Sequence, residues 1–68
     1  HYGTVNISVP SGASSQHVQI VVSDDNGSRV VYDRSQAGGD NISKSVSGTG
    51  KTRVKVYINN SLVQDQYI

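Results

Sequence analysis

Apolar and polar residues alternate along most of the chain, which is the pattern of β-strands with one buried face. The alternation is clearest where Thr52, Val54, Val56 and Ile58 fall on one side and charged or aromatic residues fall on the other. No segment has the periodicity of a helix. The pattern predicts about six short strands, separated by Gly-, Ser- and Asn-rich turns, over residues 2–9, 17–23, 29–34, 41–47, 51–58 and 61–68.

The last two of these segments predict a β-hairpin. Asn59-Asn60 separates them, and Asn tolerates the positive φ angles that a two-residue type I′ turn needs. We expect Val54, Val56 and Val63 to be buried. The turn predicts three cross-strand pairs: Val56 with Val63, Val54 with Asp65, and Tyr57 with Leu62.

The other connections are also marked by turn residues. Pro10 ends the first strand and a Ser/Gly loop follows over residues 11–16. Residues 24–27 fit either a two-residue turn at Asn26-Gly27 or a three-residue turn with Gly27 at a bulge, and both registers stay open. In the weakest strand, Lys44 is a charge of the kind that protects a sheet edge from pairing.

Size and composition narrow the fold class. A chain of 68 residues forms one domain and buries only about 60% of the surface that its unfolded form exposes. Without Phe, Trp or Met, the core must come from Val, Ile, Leu62 and four Tyr, which favour strands. We expect a single all-β domain, a sandwich or a small barrel.

Charge and cysteine content exclude few functions. The net charge of +1 is too small to indicate nucleic-acid binding by itself. The absence of Cys excludes disulfides and thiolate zinc sites. The sequence starts at His1 rather than Met and has no apolar run near the ~20 residues that span a bilayer, so we expect a fragment of a longer protein.

Several short motifs have a simple structural explanation. Residues 45–52 nearly match a phosphate-binding loop, but a strand follows where that motif needs a helix. Residues 24–27 lack the alternate ligand spacing and the final Glu of a calcium loop. Ser15, His17 and Asp33 have no spacing that indicates a catalytic triad, and we interpret His17 as an exposed strand residue. Four N-x-S tripeptides are expected by chance in a chain rich in Asn and Ser.

One strand face carries a candidate binding site for a polyanion. Lys51, Arg53 and Lys55 alternate along it, and Tyr57 continues the row. The simpler interpretation is a solvated face whose charges prevent edge pairing. On the partner strand, the predicted register places three residues beside this row: Leu62, Gln64 and Gln66.

The order of strands and turns resembles a known module, the immunoglobulin-like domain at the extreme C-terminus of Gram-positive bacterial PASTA serine/threonine protein kinases. The similarity runs from about Thr4 to Ile68. It rests on patterning rather than on a catalytic signature, and Asn59-Asn60 stands where Asp-Gly is commoner. The segments that carry it are residues 18–27, 29–33, 46–51 and 54–63.

This resemblance implies a small immunoglobulin-like antiparallel sandwich of about six strands, on the extracellular face of the cell membrane. The parent would be a single-pass membrane protein, with a cytoplasmic kinase domain that uses ATP and magnesium and PASTA repeats that recognise peptidoglycan fragments. This chain has none of the kinase motifs. The resemblance therefore assigns it no catalytic, cofactor-binding or metal-binding residue.

Three classes of function are compatible with the sequence. We expect a non-catalytic, monomeric extracellular module that acts as a spacer or contacts peptidoglycan or a wall polyanion, and does not bind nucleic acid. The alternative is a small nucleic-acid- or polyanion-binding β-barrel that uses the face of Lys51, Arg53, Lys55 and Tyr57. A small enzyme would need a convergent set of polar groups that the sequence does not show.

Overall fold

The structure is a computed structural model that describes residues 1–12 and 14–68. In these residues every regular element is a β-strand, and the strands form two antiparallel sheets. This confirms the predicted small all-β sandwich of six strands. The strands are β1 (Tyr2–Ser8), β2 (Gln16–Asp24), β3 (Gly27–Gln36), β4 (Asn41–Ser47), β5 (Arg53–Ile58) and β6 (Ser61–Tyr67).

The two sheets differ in width. The large sheet has the order β3-β2-β5-β6, and the small sheet pairs β1 with β4. In the small sheet the chain joins distant segments, from Tyr2 opposite Ser47 to Ser8 opposite Asn41. Among the strands of the described residues, only β2 and β5 have a hydrogen-bonded neighbour on both sides. All other strands therefore have one open edge.

The core lies between the sheets, and its buried apolar side chains in the described residues are all valine or isoleucine. The predicted burial of Val54 and Val56 is confirmed, since neither is exposed. Thr52 is also fully buried, and its hydroxyl donates to the Gly50 carbonyl at 3.0 Å. The buried apolar residues come from β1, β2, β4, β5 and Val9, and they are Val5, Ile7, Val9, Val18, Ile20, Val22, Val46, Val54, Val56 and Ile58.

The β5–β6 hairpin has the predicted turn but a different register. Asn59 and Asn60 take φ angles of 50° and 66°, as a type I′ turn requires. The predicted pair Tyr57–Leu62 is present, but a register shift follows it. The predicted pairs Val56–Val63 and Val54–Asp65 are wrong, and the observed pairs are Val56 with Gln64 and Val54 with Gln66.

A β-bulge at Val63 explains this difference. Val63 has no partner on β5 and is 50% exposed, so its predicted burial is wrong. Because β6 has a neighbour on one side only, it accommodates an extra residue without disrupting a second ladder. Gln64 takes the position opposite Val56, and its Nε2 donates to the Asn6 carbonyl on β1 at 2.9 Å. The bulge thus replaces an apolar contact by a polar one between the sheets.

The β2–β3 connection matches neither of the two turns that the sequence left open. Its turn residues are Asp25 and Asn26, and Gly27 has a φ of 110°. Asn26 does not have a positive φ, which a type I′ turn at Asn26-Gly27 would need. The pair Asp24–Gly27 closes a two-residue turn at Asp25-Asn26, so neither predicted register is present. The bulge of β3 falls at Val31 instead, so each edge strand of the large sheet contains one register shift.

The Asp24 side chain connects two loops at one end of the sandwich. Its side chain is 2% exposed and accepts hydrogen bonds from the backbone N–H groups of Thr49 and Asn26, both at 2.9 Å. Arg29 approaches the same carboxylate at 3.2 Å and donates to the Ser47 carbonyl at 2.8 Å. The Thr49 N–H above all, helped by Asn26 and Arg29, lowers the pKa of Asp24 from its ordinary value of 3.8. The β2–β3 turn is thereby tied to the β4–β5 loop.

The remaining boundaries agree with the sequence to within a few residues. The predicted loop over residues 11–16 includes Ala13, which lies outside the described residues, and β2 already starts at Gln16. Lys44 lies on β4, which has an open edge as predicted. No helix in the described residues has the length and apolar character needed to cross a membrane.

Candidate functional site

The predicted polyanion site lies on the outer face of the large sheet. Arg53, Lys55 and Tyr57 alternate along β5 with buried residues and are half-buried themselves. Lys51 precedes the strand and is exposed. We call these four residues together with their β6 neighbours the hairpin face.

The β6 neighbours differ from the predicted ones. Leu62 lies opposite Tyr57 as expected, but Asp65 lies opposite Lys55 and Tyr67 lies opposite Arg53. The predicted neighbours Gln64 and Gln66 instead pair with buried residues of β5. The bulge at Val63 causes this exchange, because one extra residue reverses the side on which every later residue points. The hairpin face is Lys51, Arg53, Lys55, Tyr57, Leu62, Asp65 and Tyr67.

Asp65 neutralises one of the three predicted cations. Arg53 donates to both carboxylate oxygens, from Nε at 2.7 Å and from Nη2 at 2.5 Å. This bidentate pair lowers the pKa of Asp65 below 3.8 and raises the pKa of Arg53. Lys51 and Lys55 make no salt bridge with any residue in the described part of the chain. The two lysines are therefore the cations that remain for a ligand.

Tyr67 adds an aromatic surface to the hairpin face. Its ring centroid lies 4.9 Å from Lys51 Nζ and 5.8 Å from Arg53 Cζ, within the range of cation–π contacts. Tyr67 is 57% exposed, and Leu62 at the other end of β6 is 49% exposed. The face thus combines cations with apolar surface that a ligand can cover.

The other residues singled out in the sequence have structural roles. His17 Nε2 contacts Asp33 Oδ1 on the neighbouring strand, and this hydrogen bond lowers the pKa of Asp33 below 3.8. Ser15 is not among the hydrogen-bond partners of either residue in residues 1–12 and 14–68. The near-match to a phosphate-binding loop spans the end of β4 and the loop to β5, with a strand rather than a helix after it. The Asp24 carboxylate serves as the backbone acceptor already described.

A second charged region was not predicted. An open cleft lies between β3 and β4, and it brings together Arg34 of the large sheet and Lys44 of the small sheet. These residues are ten positions apart on strands that do not pair. The sequence signal was limited to Lys44 as a charge in a weak strand. Only the stacking of the two sheets places the two cations in the lining of one cleft.

Comparisons with known proteins leave the chain without an assigned family. No protein-family model matches it, and no curated protein or solved structure matches it significantly. Within the described residues, no group of three His, Cys, Asp or Glu side chains is arranged to hold a metal ion. The geometry of the two charged surfaces therefore carries the functional argument.

Proposed function

We propose that this chain is a non-catalytic extracellular module at the C-terminus of a membrane-anchored bacterial PASTA serine/threonine protein kinase. In this proposal, the parent uses ATP and magnesium to phosphorylate proteins in response to peptidoglycan fragments. The module itself is a spacer that also contacts the cell wall. Two points support the proposal: the resemblance of residues 4–68 to that module, and the small β-sandwich that the resemblance implies and the chain forms.

The hairpin face is the observation that carries the contact role. Lys51 and Lys55 form no salt bridge in the described residues, although Asp65 lies opposite Lys55. Tyr57, Leu62 and Tyr67 lie beside the two lysines. A polymer rich in phosphate or carboxylate is attracted by the lysines, while its less polar parts can pack on the rings and on Leu62. Two lysines without a salt bridge give an affinity of about millimolar to high micromolar that falls as salt screens them.

The dimensions of the domain fit a spacer. Its principal extents are 39 × 18 × 15 Å, so it is about twice as long as it is wide. The strands run in two stacked layers around one core. Such a unit has a fixed length, unlike a flexible linker of the same number of residues. As a spacer, it would hold neighbouring segments at a defined distance.

An NMR titration with two simple polyanions tests the contact role. Polyphosphate and polyglutamate are added at about 0.01 M and about 0.15 M salt. We expect amide shifts from Lys51 to Tyr57 that weaken at the higher salt, and that largely disappear in a Lys51→Gln/Lys55→Gln variant. The matched control is Lys44→Gln, which removes a charge from a different surface and should leave the amide shifts from Lys51 to Tyr57 as in wild type.

Two results would contradict this assignment. If neither polyanion moves the amides of the hairpin face, the domain is a spacer alone. If a single-stranded oligonucleotide of equal charge binds much more tightly and quenches Tyr57 and Tyr67, stacking on bases explains the face better. The parent is tested separately by the residues encoded before His1, where the proposal requires a PASTA repeat.

A further inference from the structure

The cleft between β3 and β4 lies at one edge of the sandwich, where the two sheets differ in width. The small sheet has two strands and the large sheet has four, and β3 is an edge strand of the large one. The cleft has a volume of about 500 Å³, within the range of sites for small ligands. Its lining consists of one stretch of β3 and one residue of β4: Val30, Val31, Tyr32, Asp33, Arg34, Gln36 and Lys44.

The cleft has an excess of positive charge. Arg34 and Lys44 line it from opposite sheets, and neither makes a salt bridge with a described residue. Asp33 is the one acidic residue of the lining, and its carboxylate contacts His17 on β2. By contrast, Arg53 on the hairpin face is held by Asp65. The cleft therefore offers two cations that can converge on one anionic group.

Apolar and hydrogen-bonding groups lie next to these cations. Val31 and Tyr32 are half-buried and pack against the core. Gln36 donates to the Tyr32 hydroxyl, and the Arg34 guanidinium lies 6.0 Å from the centre of the Tyr32 ring. These contacts hold the ring in place before a ligand arrives. A bound molecule can thus place a charged group at Arg34 and Lys44 and a small apolar group against Val31 and Tyr32.

The open edge of β3 can recognise a main chain. β3 pairs with β2 on one side only, so the backbone groups that point away from β2 have no ladder partner. An extended peptide that lies beside such an edge gains main-chain hydrogen bonds, and its side chains enter neighbouring pockets. The bulge at Val31 limits the length of regular pairing. The edge therefore suits a short segment rather than a long strand.

We propose that this cleft binds the C-terminal end of a short extended peptide through its free carboxylate. Arg34 takes both carboxylate oxygens, which matches the fork geometry of a guanidinium. Lys44 adds a second positive charge from the small sheet. The last side chain of the peptide packs on Val31 and Tyr32. This site shares no residue with the hairpin face, so its test does not depend on the wall contact proposed above.

The test compares two peptides that differ only at the C-terminus. N-acetyl-trialanine with a free carboxylate and the same peptide as its C-terminal amide are titrated into the chain and followed by amide NMR shifts. We expect saturable shifts at residues 31–36 and at Lys44 with the free acid, and affinity for the amide lower by about tenfold or more. Equal binding of the two peptides would overturn the assignment.

Variants that remove one charge each test whether the peptide binds in the cleft. Arg34→Gln and Lys44→Gln should each weaken binding of the free acid, and shifts elsewhere in the spectrum show that the fold is intact. The Lys51→Gln/Lys55→Gln variant is the matched control and should bind like wild type. If that control loses binding, the peptide sits on the hairpin face and the proposal is wrong. If inorganic phosphate competes with an affinity equal to that of the peptide, the cleft is a plain anion site and the peptide assignment fails.

Discussion

The large sheet has two kinds of strand that differ in burial and regularity: the central strands β2 and β5 and the edge strands β3 and β6. The central strands supply six of the ten buried apolar residues, and the edge strands supply none. Each edge strand contains one bulge, whereas the ladder between β2 and β5 is regular. Both candidate binding surfaces include residues of an edge strand. Position in the sheet, more than residue type, decides whether a valine is buried.

Val56 and Val63 show this most directly, since they belong to the same hairpin. Val56 has a strand on both sides and the small sheet above it, and it is not exposed at all. Val63 lies at the bulge of an edge strand and is 50% exposed. A strand with two neighbours cannot shift without disrupting both ladders, but an edge strand can. The edge is therefore the part of the sheet that is free to acquire polar and binding residues.

The largest effect is expected for Val56→Ala. The substitution removes two methyl groups from a site with no exposed surface, and it should lower the free energy of unfolding by about 1–3 kcal/mol. Thermal or urea denaturation followed by circular dichroism measures the change. Because a domain of this size is marginally stable, part of the population should unfold at room temperature. A melting temperature unchanged from wild type would mean that β5 does not hold the core.

Asp24→Asn should have the next largest effect and should also change the pH dependence. The lowered pKa of Asp24 means that its stabilising contribution is present above pH 3.8 and is lost as the pH falls further. The variant should be less stable than wild type at pH 7 and should lose less stability on acidification. Denaturation curves between about pH 2 and pH 7 measure both effects.

The control for Asp24→Asn is Asp25→Asn, which removes an exposed carboxylate from the same turn. Asp25 is not a hydrogen-bond acceptor for Thr49 or Arg29. If both variants show the same acid sensitivity, the connection between the β2–β3 turn and the β4–β5 loop is not made by Asp24.

Asp65→Asn should change binding more than stability. It removes the carboxylate that holds Arg53, so the hairpin face gains a third available cation. Polyphosphate binding at low salt should strengthen several-fold, since each phosphate contact adds to affinity and to its salt dependence. The titration described above measures it, with Asp40→Asn, which removes an exposed carboxylate outside both surfaces, as the control. Weaker binding after Asp65→Asn would show that the ion pair itself orders the site.

Val63→Thr should have the smallest effect, within about 0.5 kcal/mol of wild type, because the side chain is at an exposed edge position. The same denaturation assay measures it. Destabilisation as large as that of Val56→Ala would mean that Val63 points into the core. The register predicted from the sequence would then be correct and the bulge would be absent.

The strands were predictable because their alternation reflects two different environments. Val54 and Val56 alternate with Arg53 and Lys55, and this pattern located both the buried face and the candidate face of β5. The Asn59-Asn60 turn was predictable from the φ preferences of Asn.

The register of β6 could not be predicted in the same way. The same sequence fits a regular strand or a strand with a bulge at Val63. The bulge moves the side chain of every later residue to the opposite face of the sheet. The sequence pattern therefore did not predict that Asp65 lies on the hairpin face. The cleft was hidden for another reason. Arg34 and Lys44 line the same cleft only because two separate sheets stack, and a linear pattern holds no information about that arrangement.

The pairing of β1 with β4 has a consequence for how the chain folds. The hairpins β2–β3 and β5–β6 join neighbouring segments, but Tyr2 can meet Ser47 only after a long loop has closed. Closing that loop loses chain entropy before any contact compensates for it, so the small sheet should form late and the domain should fold in milliseconds to seconds. Until then, the small sheet does not cover the inward-facing valines of β2 and β5. A nascent chain of this protein is thus most prone to aggregation in the interval before β1 docks.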